Sequence, residues 1–186
     1  MSHVYDFQYK KATYMPWGRG NGWCFLSLSE LLGYIPENHE KRPFLLEFFN
    51  ELALSFIELQ GSRGLWHQLL TDPDSYEESS CTAMFIYGLS RGITYEWLQD
   101  EVVDKAKNAV TKGFKGLTQV AIDYKGNVYG ICGGSAYSFT PQYYKDELLW
   151  ITNDPHGIGI VLLALIELEK MLKKESGKVT KTDEIP

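Results

Sequence analysis

Apolar positions along the chain fall into two kinds of run. Residues 22–32 (GWCFLSLSELL), 79–89 (SSCTAMFIYGL) and 157–168 (GIGIVLLALIEL) are apolar nearly all round. Each begins among small residues: Gly22, Ser79, Ser80, Gly157 and Gly159. A helix without a polar stripe is one that neighbours cover on most sides. Two other segments carry apolar residues at steps of three and four. In residues 42–60 these are Phe44, Leu45, Phe48, Phe49, Leu52, Phe56 and Leu59; in residues 95–112 they are Trp97, Leu98, Val102, Ala106 and Val110. That period predicts amphipathic helices with one solvated face. The order is buried, outer, buried, outer, then a long loop and a third buried helix. It reads as a loose internal repeat of helical hairpins, which stack into a toroid or solenoid with inner and outer layers.

Within the long loop, residues 120–131 (VAIDYKGNVYGI) set short apolar runs on either side of Lys125-Gly126-Asn127, the signal of a two-stranded hairpin. The expected fold is thus all-α with a small β-hairpin insertion. It forms one domain over residues 1–174, followed by a polar tail, 175–186, that frays. Closing a ring of such hairpins takes about six of them, and this chain supplies about half. An open half-ring exposes apolar inner surface, which soluble monomers rarely do. The expectation is therefore a chain that self-associates (a homo-oligomer) or works with a missing N-terminal half.

Length and composition narrow the functional classes. A chain of 186 residues buries a real core. Its net charge of −6 argues against nucleic-acid and anionic-membrane partners, both of which attract basic patches. Residues 1–11 hold no apolar signal core, and the longest apolar stretch, 158–166, is too short to span a bilayer. The three cysteines, Cys24, Cys81 and Cys132, are odd in number and widely spaced, with no CxxC or Cys/His pattern. That reads as reduced thiols in a cytoplasmic protein with no metal and no cofactor.

The candidate chemistry lies just ahead of the buried helices. Pro16-Trp17-Gly18-Arg19-Gly20-Asn21-Gly22-Trp23 reads as a glycine-rich loop that lets the backbone approach a ligand. Trp17 and Trp23 offer flat apolar faces to a sugar ring, and Arg19 offers a planar fork of donors to a carboxylate. The plainer alternative is a turn whose Trp rings pack against a neighbouring hairpin. Ahead of the second helix, Trp66 and His67 again pair a ring with a titratable group, although a hydrogen-bonded loop histidine is the commoner role. Asp72 and Asp74 read as turn residues and Asp154 as the cap of the last helix. Cys132 and His156 form a nucleophile pair only if the fold brings them together. In a ring of inner helices all these loops share one mouth, the usual place for a ligand pocket.

Trp17-Gly18-Arg19-Gly20-Asn21-Gly22-Trp23 resembles the W-x-R-G-N-G-W signature of the unsaturated glucuronyl and rhamnogalacturonyl hydrolases, glycoside hydrolase families 88 and 105. Gly64-Leu65-Trp66-His67-Gln68, Asp72-Pro73 and Glu78-Ser79-Ser80 resemble a second segment of these families, and Tyr129-Gly130-Ile131-Cys132-Gly133-Gly134 a third. The resemblance implies part of an (α/α)6 barrel. It implies hydrolysis of lyase-derived, pectin-type oligosaccharides that end in a C4=C5 unsaturated uronic acid. An aspartic acid protonates the double bond, water adds at C5, and the collapse of the hemiketal releases the sugar without a metal. By the same resemblance Trp17, Arg19 and Trp23 bind substrate, Arg19 faces the uronate carboxylate, and His3 matches an upstream family histidine. The family's catalytic aspartate belongs to a W-x-D-type segment that this sequence lacks; Asp6 is the only acid just upstream of the signature. The expected protein is then a truncated hydrolase without its general acid. The alternative is a catalytically inactive carbohydrate-binding or self-associating fragment. A third reading, a helical-barrel epimerase, needs paired histidines that the sequence does not offer.

Overall fold

The computed structural model describes residues 1–177; the polar tail expected over residues 175–186 lies outside these from residue 178 onward. Five helices carry the fold: α1 (Gly18–Tyr34), α2 (Arg42–Glu58), α3 (Ser79–Thr94), α4 (Asp100–Gly116) and α5 (Pro155–Glu175). α3 is the centre, with every residue from Ser79 to Gly92 buried, as its uninterrupted apolar run requires. α1 flanks it in parallel. Arg19 meets Ser80, Gly22 meets Met84, Gly88 meets Phe25 and Gly33 meets Arg91, so both helices advance in the same direction. α5 flanks the other side, with Arg91 near Glu167 and Lys174 bonded to the Thr94 carbonyl.

The outer helices run back along this layer. Phe49 stacks on Phe25 at 4.7 Å, and Phe56 stacks on Phe85 at 4.2 Å. On α4, Val102, Ala106, Ala109, Val110 and Gly113 face inward, and the opposite side is charged. Asn50 ties α2 to the turn before α4, donating to the Trp97 carbonyl and accepting from the Gln99 N–H, each at 2.8 Å. The result is two hairpins and a third inner helix, a partial (α/α)6 barrel.

The predicted amphipathic helix over residues 95–112 begins later, at Asp100. Tyr95 and Trp97 instead lie stacked in the connecting turn, 5.1 Å apart, against Arg91. The hairpin expected over residues 120–131 is present but shorter than expected. α4 continues into a π-helical turn, Leu117–Ala121, and the two apolar runs meet only in one bridge, Ile122 to Val128. Asp123 organises the turn by accepting from the Lys125 and Asn127 N–H groups. The paired strands are elsewhere: β1 (Tyr5–Asp6) with β2 (Lys11–Ala12), β3 (Trp66–His67) with β4 (Glu77–Glu78), and β5 (Ile131–Cys132) with β6 (Trp150–Ile151), all antiparallel.

Near the C-terminal end of α3, Arg91 joins the three inner helices. It is buried, with Glu30 of α1 at 3.5 Å and Glu167 of α5 at 3.8 Å, under the faces of Tyr87, Tyr95 and Trp97. No described helix is long and apolar enough to cross a membrane.

Candidate functional site

Parallel packing of α1, α3 and α5 gathers their N-terminal ends. Trp17 occupies the residue before α1 in extended backbone. The Gly18 N–H donates to the Gln68 carbonyl and the Leu70 N–H to the Pro16 carbonyl, so Trp17 is stitched to the chain leaving β3. Its indole N–H donates to the Gln68 amide oxygen at 3.2 Å, and the Gln68 amide nitrogen donates to the Cys132 sulfur at 3.2 Å. The His3 ring lies 4.5 Å from the Trp17 ring, and its Nδ1 is 2.6 Å from the Tyr144 hydroxyl. Burial pushes the His3 imidazole below the usual histidine range and the Tyr144 phenol above its own, so both are neutral near pH 7. Four segments distant in sequence thus meet in a cluster of rings with polar edges.

Behind the cluster stands a buried clamp. Arg19 is 5% exposed. Its Nε donates to Ser80 Oγ at 2.9 Å, and its Nη2 donates to the Cys132 carbonyl and lies 3.9 Å from Glu78 Oε1. Glu78 is the residue before α3 and is fully buried. Its two oxygens accept from the Ser80 N–H and hydroxyl, the Cys81 N–H and the Cys132 N–H, between 2.6 and 2.9 Å. A carboxylate at a helix N-terminus completes orphan donors and meets the positive end of the helix dipole. One carboxylate and one guanidinium therefore lock α1, α3 and β5 together.

The segment 17–23, expected as a loop, is mostly the first turn of α1. Arg19 and Trp23 therefore sit on the helix, because Gly18 and Gly22 allow it to press onto α3: a Cβ at Gly18 would meet the Cys81 sulfur at 2.9 Å, and one at Gly22 the Met84 sulfur at 2.5 Å. Trp23 is open to solvent, 41% exposed. Trp66, also expected at the site, is a core residue. It is fully buried, its indole N–H donates to the Phe56 carbonyl at 2.6 Å, and Phe85 lies edge-on at 5.3 Å. His67, the next strand residue, points the other way, as strand alternation demands. It lies in a separate cleft of about 480 Å³ beside Arg63, Glu77, Tyr129 and Trp150, with Nδ1 2.7 Å from the Ser75 carbonyl.

The remaining candidates have structural duties. Asp72 bonds the Asp74 N–H and pairs with Lys145, which holds its carboxyl below the ordinary range; Asp154 caps α5 through the His156 N–H. Asp6 accepts from the Gln8 and Tyr9 N–H groups in the β1–β2 turn. His156 is exposed and bonds Asp154, whereas the Cys132 sulfur accepts from Gln68, so the two do not form a pair. Burial, then the Glu78 charge, pushes the Cys81 and Cys132 thiols up, away from the reactive thiolate. Among the described residues no group of three or more His, Cys, Asp or Glu converges as a metal site would. Tyr144, Gln68 and Glu78 are the site residues that the sequence does not single out by role. Glu78 had a signal, an acid directly before Ser79-Ser80 at a helix start. Tyr144 had none, because a π-helical turn, Tyr143–Glu147, delivers it.

Parallel inner helices, antiparallel outer ones and a cluster of rings at one end define an incomplete toroid of helical hairpins. Residues 3–172 match the model of Glycosyl Hydrolase Family 88, and the chain belongs to that family. It is 28% identical over 169 residues to the unsaturated 3S-rhamnoglycuronyl hydrolase of Alteromonas sp. (strain LOR), across 90% of this chain and 38% of that one. It is 28% identical to the unsaturated rhamnogalacturonyl hydrolase YesR of Bacillus subtilis, across 85% and 42%. A crystal structure of a possible member of the GH105 family from Salmonella enterica superposes with a TM-score of 0.78 at 25% identity, covering 88% of this chain and 42% of that one. The chain thus spans about two fifths of the length of these relatives.

Proposed function

We propose that the mouth of the inner helices binds an oligosaccharide ending in a C4=C5 unsaturated uronic acid, and that the chain is the substrate-binding part of an unsaturated uronyl hydrolase of the pectin-degrading type. The observation that carries this reading is the meeting of His3, Trp17 and Tyr144 beside the Arg19–Glu78 clamp. Rings with flat apolar faces suit the C–H faces of a sugar. The half-buried His3 edge suits its hydroxyls, since neutral donors and acceptors fix orientation without the desolvation cost of free charges, while the fully buried Tyr144 and Gln68 hold His3 and Trp17 in place. Trp23, open on α1, offers the next apolar face. Arg19 reaches a uronate carboxylate only by exchanging the Cys132 carbonyl for it, so in the unliganded chain it holds the mouth in shape.

Hydrolysis needs a proton for the double bond. Glu78 is the carboxylate of the clamp behind the cluster, and its oxygens already accept four hydrogen bonds. That observation favours a second reading for the isolated chain, binding without turnover, with the acid supplied from outside it. Calorimetry with an unsaturated uronyl disaccharide tests the binding. Heat is expected with the wild type and a loss of at least tenfold in affinity with Trp17→Ala, equal to about 1.4 kcal/mol. No heat from folded protein removes the sugar reading. The ultraviolet absorbance of the double bond tests the chemistry. It is expected to stay constant with the chain alone; its steady loss would mean that the chain carries its own acid.

A further inference from the structure

His67 has no part in the mouth, and the strand that carries it explains why. In the antiparallel pair β3–β4 directly opposed residues share a face of the ribbon: Trp66 with Glu78, and His67 with Glu77. The first pair is fully buried, Trp66 in the core and Glu78 in the clamp. The second pair therefore projects to the other side, where His67 and Glu77 line the cleft of about 480 Å³. This cleft lies around the entry to α3, the central helix. Among the described residues none of α1 or α5 lines it.

Its polar side supplies both acceptors and donors. The Arg63 guanidinium pairs with Glu77 Oε2; the guanidinium is 63% exposed and the carboxylate only 11%. The His67 Nδ1 lies 2.7 Å from the Ser75 carbonyl. A carbonyl can only accept, so Nδ1 carries the proton, and Nε2 of the neutral ring is an acceptor. A Cβ at Gly61 would stand 3.0 Å from Nε2, and the bare glycine leaves that nitrogen uncovered. The apolar side is two rings in the open, Tyr129 and Trp150. Both are fixed in place. Trp150 pairs with Cys132 in β5–β6, whereas Tyr129 donates its N–H to the Ala121 carbonyl at 2.8 Å and its hydroxyl to Asp123 at 3.1 Å.

We propose that this cleft is a second carbohydrate site, outside the mouth, and that it takes a neutral pyranose residue. The C–H face of such a ring lies on Trp150 and Tyr129. Its neighbouring hydroxyls donate to Glu77 and His67 and accept from Arg63. The charges of Arg63 and Glu77 cancel, so the cleft does not select an ion, and a uronate would bring its carboxylate up against Glu77. The volume falls within the range of about 300–1,000 Å³ usual for small-molecule sites. The inference goes beyond the reading of the mouth and does not rest on it, because the two sites take chemically different sugars through different side chains.

The test is an NMR titration of the isotope-labelled chain with the methyl glycosides of glucose, galactose, mannose and rhamnose, each to about 10 mM. At least one is expected to shift the Trp150 indole N–H and the His67 and Glu77 amides, with a Kd of about 1 mM, and to leave the Trp17 indole N–H unmoved. Arg63→Ala and Trp150→Ala alter exposed side chains, so both should keep the dispersed spectrum of the folded chain; each should weaken binding about tenfold. Methyl glucuronide should bind the cleft no more tightly than its neutral counterpart. The absence of shifts with every probe overturns the proposal. So do shifts confined to the Trp17 side, an unchanged affinity in both variants, or tighter binding of the glucuronide. Failure of the mouth to bind the unsaturated disaccharide alters none of these outcomes.

Discussion

At the residue scale Glu78 carries the most. It is the acceptor for four donors from two segments and the counter-charge of Arg19. Removing one partner of a buried pair leaves the other charge uncompensated, at about 3–5 kcal/mol. Glu78→Gln is expected to lower unfolding stability by that order, read from urea melts. A loss under about 1 kcal/mol would mean that Arg19 finds another acceptor. His3 gives the pH dependence. Its folded pKa lies below the unfolded value of 6.5, so the unfolded chain takes up the proton first. The contribution of His3 is therefore full above pH 6.5 and is lost as pH falls toward the folded pKa. NMR should show an imidazole that titrates below 6.5, and the melting temperature should fall between pH 7 and pH 5 more steeply than in His3→Gln. The rings were legible as candidates from their residue types. The difference between Trp17 at the mouth and Trp66 in the core was not, because both precede helices among glycines and only packing tells them apart.

At the element scale the helices are held together by glycines placed where side chains cross. A Cβ at Gly88 would lie 2.5 Å from two atoms of the Phe25 ring. That ring cannot retreat, since Phe49 stacks on it and Phe56 stands edge-on at 5.2 Å. Gly88→Ala gains about 1 kcal/mol of helix propensity and costs about 1–3 kcal/mol of overpacking. A net loss of stability is expected in thermal melts, with α1 and α3 forced apart. A stabilised variant would show that the contact is softer than its geometry. Helices α1, α2, α3 and α5 were legible from apolar spacing, because burial on helical faces is what that spacing records. The hairpin at residues 120–131 is shorter than its apolar runs suggest for a physical reason. Apolar residues on both sides of Gly126 satisfy the strand pattern, but Leu117 and Ala121 bury better by continuing α4 through a π-helical turn.

At the scale of the whole molecule the inner layer is half a ring, covered on its outer side by α2 and α4 and open at both edges. Alone, the sequence determined the helical hairpins, their inner and outer ranks and the concentration of aromatic and polar residues ahead of the inner helices, because these follow from periodicity, small-residue contacts and turn chemistry. Only the tertiary structure decided that Arg19 is clamped by Glu78, that Tyr144 joins His3 and Trp17, and that Trp66 is core. Those outcomes depend on contacts between residues 10 to 141 positions apart, which no local pattern encodes.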